Sequence, residues 1–194
     1  MERPTIGRWM STDEADRIVA AAKTARERAL FLLLRHTGGR VSEVAAVRPC
    51  DVDAAAGSVR LPTLKRRRPV ERRVPVPVGV AEALLAFARD KRVPADAPLV
   101  GHGRGWAWKV VRRAGARAGV APELCHPHSF RHAFGRGTLR ALGDNPRALP
   151  IVQRVLGHAS LTSTSIYLEA EECEVFAAFR SFLPIRTVPA AATA

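Results

Sequence analysis

A mainly α-helical fold carrying one small β-hairpin, an α+β domain, is predicted from three observations. Apolar residues recur at helical spacing through most of the 194 residues. Two short β-prone runs flank a basic turn near Arg67. No Ser/Gly linker, low-complexity tract or internal repeat divides the chain, so one domain is predicted over residues 1–183, with a flexible Pro/Ala-rich tail over 184–194. At 47% apolar and 25% charged residues, the chain can bury a core without covalent staples, which excludes disorder. No apolar run approaches the ~18 residues of a membrane span, and Met1-Glu2-Arg3 opens no signal-peptide pattern. Cys50, Cys125 and Cys173 are scattered and form no CxxC pair, so neither a disulfide framework nor a zinc knuckle is indicated. A cytoplasmic protein is the expectation.

The elements follow in order. Ser11-Thr12-Asp13-Glu14 has the form of a capping box and opens a helix over 12–23, and Leu30 with Leu32-Leu33-Leu34 marks a second over 25–36. Gly38-Gly39 stops it, and Ser42 is placed to cap a short third helix through Val47, leaving Arg40 in a tight turn. Asp51 to Gly57 is turn-rich. Ser58-Val59-Arg60-Leu61 and Arg73-Val74-Pro75-Val76-Pro77 then form the hairpin around Lys65-Arg66-Arg67-Arg68-Pro69. Helical patterns resume over 79–90, 104–118, 127–142, 147–156 and 171–182.

The charge is strongly one-sided: 31 Lys and Arg oppose 18 Asp and Glu, a formal net charge of +13, which favours a polyanionic partner. It is also clustered. Lys65, Arg66, Arg67, Arg68, Arg72 and Arg73 crowd the hairpin, and Arg104, Lys109, Arg112, Arg113 and Arg117 lie on one helix with two tryptophans and no acid. Such surfaces follow a phosphate backbone, and Arg66, Arg67, Arg68, Arg72, Arg73, Arg104, Lys109, Arg112 and Arg113 are the predicted contacts to double-stranded DNA. By contrast Glu169, Glu171, Glu172 and Glu174 open the last helix, where they would repel DNA. With Val175, Phe176 and Phe179 behind them, that helix either closes its own core or docks on a neighbouring subunit.

Three motifs carry chemistry: Thr37-Gly38-Gly39-Arg40-Val41-Ser42-Glu43; His128-Ser129-Phe130-Arg131-His132; and Leu156-Gly157-His158, with Tyr167, the one tyrosine of the chain, nine positions later. His128 and Arg131 are three apart on a helix, so a proton carrier and a fixed cation share one face. A phosphodiester under attack accumulates charge on its non-bridging oxygens, and planar arginine forks such as Arg40 and Arg131 can clamp it.

In this order, with the basic hairpin between them, these motifs resemble the catalytic domain of the tyrosine recombinases, also called the phage integrase family, over about residues 11–183. The resemblance implies an active site of Arg40, Lys65, His128, Arg131, His158 and Tyr167. Tyr167 would be the nucleophile that forms a 3′-phosphotyrosyl link, Arg40, Arg131 and His158 the phosphate clamp, His128 the base, and Lys65 the acid. Glu43 and His132 are read as supporting residues. No cofactor, metal or ATP is implied. The resemblance also implies a homotetramer on paired DNA sites, the last helix passing to a neighbour, accessory DNA-bending proteins, and residence at the nucleoid. Most members carry a helical core-binding domain ahead of the catalytic one, whereas only about ten residues precede the first helix here. The expectation is a catalytic domain without that clamp, either a fragment or a single-domain member. Leu142 to Pro150 is longer than the family's usual connection.

Other readings divide the same features differently. A type IB topoisomerase shares this chemistry but relaxes supercoils, and a DNA-binding module without catalysis would need none of the reactive positions. A metal enzyme would rest on Cys125-His126-Pro127-His128, where Pro127 spoils the ligand spacing and no second cluster completes a site.

Overall fold

Why helices form where they do is set largely by their caps. In the computed structural model, which describes residues 8–63 and 70–157, α1 spans Thr12–Ala20. The Glu14 amide donates to Ser11 Oγ at 3.1 Å and the Ser11 amide to Glu14 Oε2 at 2.9 Å, a reciprocal capping box. α1 ends before the predicted residue 23 because the next cap intervenes: Thr24 Oγ1 accepts the Glu27 amide and opens α2, Ala25–Thr37. α2 stops at Gly38, in the left-handed region at φ +57°. α3, Val41–Ala45, starts at Arg40 and not at Ser42, since the Glu43 carboxylate accepts the Arg40 amide at 2.9 Å.

The sheet is three-stranded and antiparallel, ordered β1-β2-β3, from Val52–Asp53, Ser58–Thr63 and Val70–Pro75. The two-residue β1 lies in the stretch read as turns: too short to show alternation, it is held by pairing with β2 and by burial of Val52. In β2 and β3, Val59 opposes Val74 and Leu61 opposes Arg72. α4 (Val78–Asp90), α5 (Arg104–Arg117), α6 (Pro127–Leu142) and α7 (Ala148–Leu156) complete the order, near their predicted bounds. The hairpin tip, the predicted helix over 171–182 and the tail over 184–194 lie outside the described residues.

α2 is the hub: α1, α3, α4, α5 and α6 all pack against it. Leu30, Phe31, Leu33 and Leu34 are completely buried, and the Phe31 ring stacks on Phe130 of α6 at a centroid distance of 6.4 Å. A helix enclosed on so many sides is apolar nearly all round, and the run Leu30–Leu34 reflects this. α5 approaches the segment before α6 so closely that a Cβ on Gly115 would collide with Cys125 Sγ. This juxtaposition fixes the start of α6, and with it His126 and His128. Among the described residues, no helix is long and apolar enough to cross a membrane.

Phe31→Ala is expected to destabilise the protein by about 3–5 kcal/mol, the usual cost of emptying a buried phenylalanine site. Chemical denaturation would show it as a lowered midpoint with an unchanged slope.

Candidate active site

The site forms where α2, α3, β3, α6 and the end of α7 converge. Its deepest member is Arg131, 1% exposed and among the largest fully buried side chains. One guanidinium nitrogen donates to the Gly38 carbonyl at 2.8 Å and another to the Leu156 carbonyl at 2.9 Å. Those carbonyls belong to the C-terminal ends of α2 and α7, which lack helical partners and carry the negative end of each dipole. The buried cation is thus compensated by two helix ends.

The glycines of the motifs have physical roles. A Cβ at Gly38 would strike Phe134 and Leu156, besides requiring an unfavourable positive φ. Gly157, at φ +69°, leaves room for the Arg72 guanidinium, which a Cβ would meet at 3.1–3.2 Å. Thr37 closes the end of α2 from within, its hydroxyl donating to the Leu33 carbonyl at 2.6 Å and accepting the Gly39 amide at 3.1 Å.

Glu43 ties two cations together. Only 1% exposed, its carboxylate accepts Arg40 Nη1 at 3.0 Å on one oxygen and Arg72 Nη2 at 2.7 Å on the other. Burial pushes its pKa up, but the hydrogen bond from Arg72, the Arg40 amide and the two positive charges outweigh burial and hold it below the ordinary carboxylate value. Arg72 therefore departs from its expected role as an outer DNA contact. In the antiparallel register it lies opposite Leu61, and directly opposed residues share a face, here the core face. Its side chain is 9% exposed and also donates to the Val155 carbonyl at 2.8 Å. Counting alternate positions back from buried Val74 would have revealed this inward orientation.

His128 lies in the first turn of α6 with its surface open to solvent. Its ring meets His132 edge-on at 4.5 Å, and His132 packs on Trp9 at 4.3 Å. Trp9 was missed in the sequence, where a lone aromatic ahead of the first helix has no periodic signal; its indole N–H is buried and makes no hydrogen bond among the described residues. Partial burial of the His128 ring, then the positive charges of Arg131, His126 and Arg40, lower its pKa from the usual 6.5. At neutral pH this imidazole is a free base, able to accept a proton. His126 caps α6, Nδ1 accepting the Ser129 amide at 3.2 Å, and stacks on the exposed Trp108 of α5 at 5.5 Å. Cys125 turns its thiol to the Val120 and Ala121 carbonyls. Among the described residues, no group of three His, Cys, Asp or Glu side chains is placed to hold a metal ion.

The structure thus brings together Arg40, Glu43, Arg72 and, at its base, Arg131, with His128 and His132 on α6. Arg73, Arg104, Lys109, Arg112 and Arg113 are exposed. Lys65, Arg66, Arg67, Arg68, His158 and Tyr167 lie outside the described residues.

The chain is thus a helical domain with a small antiparallel sheet, holding a buried arginine and a paired Arg–Glu turn beside a histidine. Residues 8–173 match the model of the phage integrase family, and the chain belongs to that family. It is similar to the tyrosine recombinase XerD of Mycobacterium tuberculosis, 36% identical over 156 residues, covering 74% of this chain and 48% of that protein. It is similar also to XerC of Xanthomonas campestris pv. campestris, 32% identical over 168 residues, covering 81% of this chain and 50% of that protein. Among solved structures, XerA recombinase superposes with a TM-score of 0.73 at 25% identity, over 94% of this chain and 66% of that one. XerH bound to its difH substrate superposes with a TM-score of 0.70 at 19% identity, over 94% and 56%. The chain spans about half the length of the curated relatives it matches.

Glu43→Gln is expected to cost about 3 kcal/mol, the lower end for breaking a buried ion pair, because Arg40 keeps 28% of its side chain exposed. Thermal unfolding of the variant beside the wild type measures this. His36, His126 and His128 all have lowered pKa values, so the unfolded chain binds more protons than the folded one below the ordinary histidine value of 6.5. Stability is therefore expected to hold above that value and to fall as pH drops from it toward the lowered ones. Denaturation midpoints between pH 5 and pH 8 would register the slope, and His128→Gln should flatten it.

Proposed function

We propose that this chain cleaves and rejoins duplex DNA through a 3′-phosphotyrosyl intermediate, as a site-specific recombinase. The observation that supports it best is the buried Arg131, fixed beside the Arg40–Glu43–Arg72 cluster. Its cost of burial is met by helix ends, so a rigid, always-charged donor is ready before any anion arrives. Family membership supports assigning the other roles by motif to Lys65, His158 and Tyr167.

In this reading the Tyr167 oxygen attacks the scissile phosphorus while the phenolic proton passes to His128. A bond from tyrosine oxygen to phosphorus forms as the bond from phosphorus to the 5′-oxygen breaks, and Lys65 supplies the proton that the leaving oxygen needs. Arg40, Arg131 and His158 stabilise the charge on the non-bridging oxygens. Attack by the 5′-hydroxyl of another strand reverses the sequence, so strands are exchanged with no net change in bond number. Neither metal nor ATP enters this balance. Glu43 and Arg72 orient Arg40, and His132 with Trp9 backs His128. Arg73, Arg104, Lys109, Arg112 and Arg113, with Arg66, Arg67 and Arg68 of the hairpin tip, would follow the phosphate backbone. A tetramer on paired sites, accessory bending proteins and residence at the nucleoid complete the reading.

The test is covalent trapping. Wild type and Tyr167→Phe are mixed, without metal, with nicked duplexes bearing sites selected from a random-sequence pool, then run on denaturing gels. A shifted band from the wild type alone supports the mechanism; binding by both proteins with no band from either rejects it in favour of a binding-only module. Arg40→Ala is expected to slow adduct formation by about 10²–10³-fold, as is usual when one transition-state donor is lost. Single-turnover rates on the same nicked duplex would check this.

A further inference from the structure

α5 presents its basic residues on two flanks. Arg104, Trp108 and Arg112 are spaced by four and share one, whereas Trp106, Lys109 and Arg113 are spaced by three and four and share the other. Ala107, Val110, Val111 and Ala114 point to the core between them. The first flank faces the catalytic side, where Trp108 stacks on His126. The second faces the start of α2, where a cavity of about 430 Å³ opens between α2, the loop after α4 and α5, its lining including Arg26, Lys91, His102, Trp106 and Arg113.

This cavity is organised. Arg26 Nη1 lies 2.9 Å from His102 Nε2, and since a guanidinium only donates, the ring nitrogen is the acceptor of that pair. The His102 ring in turn stacks on Trp106 at 4.5 Å. The acids nearby are already engaged: Glu27 takes Arg117 at 3.3 Å and Asp90 takes Lys91 at 2.7 Å. Among the described residues, Arg26 and Arg113 have no acidic partner, and they stand over an aromatic floor.

Resting on the reading of this chain as a DNA-binding enzyme, the geometry points to a second phosphate-binding site in this cavity, which grips the backbone of duplex DNA away from the cleavage point. The exposed band of Arg104, Arg112, Lys109 and Arg113 runs unbroken around α5 from the catalytic flank to the cavity. Its distance from the chemistry follows from α2. The cavity sits at the first turn of that helix, and Arg131 holds the carbonyl just past its last, thirteen residues on. At ~1.5 Å per residue the separation is about 20 Å, or about six base-pair steps of B-DNA at ~3.4 Å each.

The experiment compares wild type with Arg26→Gln/Arg113→Gln on a duplex bearing a selected site, extending either twelve or four base pairs beyond the nick on both sides. On the long duplex, two lost contacts should lower the salt slope by about two, so that between 50 and 200 mM salt the wild type loses about tenfold more affinity than the variant. On the short duplex the two proteins should bind alike. Hydroxyl-radical footprinting should show backbone protection about six base pairs from the nick for the wild type and not for the variant. Equal losses on both duplexes, or no loss on the long one, overturn the assignment. So does a variant that binds DNA normally but loses self-association in sedimentation, for then the cavity takes an acidic protein segment. If the wild type binds but forms no Tyr167 adduct, the cleavage reading fails while the salt slopes still decide the cavity.

Discussion

Everything near the Arg40–Glu43–Arg72 cluster depends on the way one buried charge is held. Arg131 is as deep in the protein as the leucines of α2, a position that an unpaired guanidinium could not occupy without a penalty of several kcal/mol. The carbonyls of Gly38 and Leu156 provide the compensation, and they do so from the ends of two helices that are distant in sequence. α2 must therefore end at Gly38 and α7 at Gly157, and both positions must be glycine for the chain to turn without striking Phe134 or Arg72. The arginine and the two turns are a single device.

A second layer is built on the first. Glu43 is buried in the first turn of α3, just after the turn that Arg131 braces, and its carboxylate is shared between the main chain and side chain of Arg40 and the head group of Arg72. Arg72 reaches onward to the last turn of α7 through the Val155 carbonyl. The sheet, the short helix and the end of α7 are thereby coupled through charged groups with few rotamers left to them. A preorganised array of this kind loses little freedom when an anion binds, which is what an oxyanion-stabilising site requires. The packing along α6 is aromatic: Trp9, His132 and His128 pack in series, fixing the imidazole from behind while leaving its surface open.

Much of this was legible in the residues. The capping box at Ser11 and Glu14, the apolar run of α2 and the basic α5 all stand in the sequence because they depend on neighbours three or four positions apart. Strand β1 was not legible, since two residues carry no periodicity and Val52–Asp53 is a strand only where β2 lies beside it. The Ser42 cap failed for a related reason: a serine competes poorly with a glutamate that can reach the Arg40 amide and two guanidinium groups at once.

By itself, the sequence determined the order of the described helices, the hairpin strands and the family, because each is carried by local spacing or by a short motif. Only the tertiary structure decided which arginines serve the site and which face outward. Arg72 and Arg73 are adjacent in a basic run and indistinguishable by composition, yet one is bonded to Glu43 and the other is exposed. Composition counts charges. Which face of a strand they occupy is set by register against a partner strand, and whether a cation can be buried is set by carbonyls that distant helices bring to it.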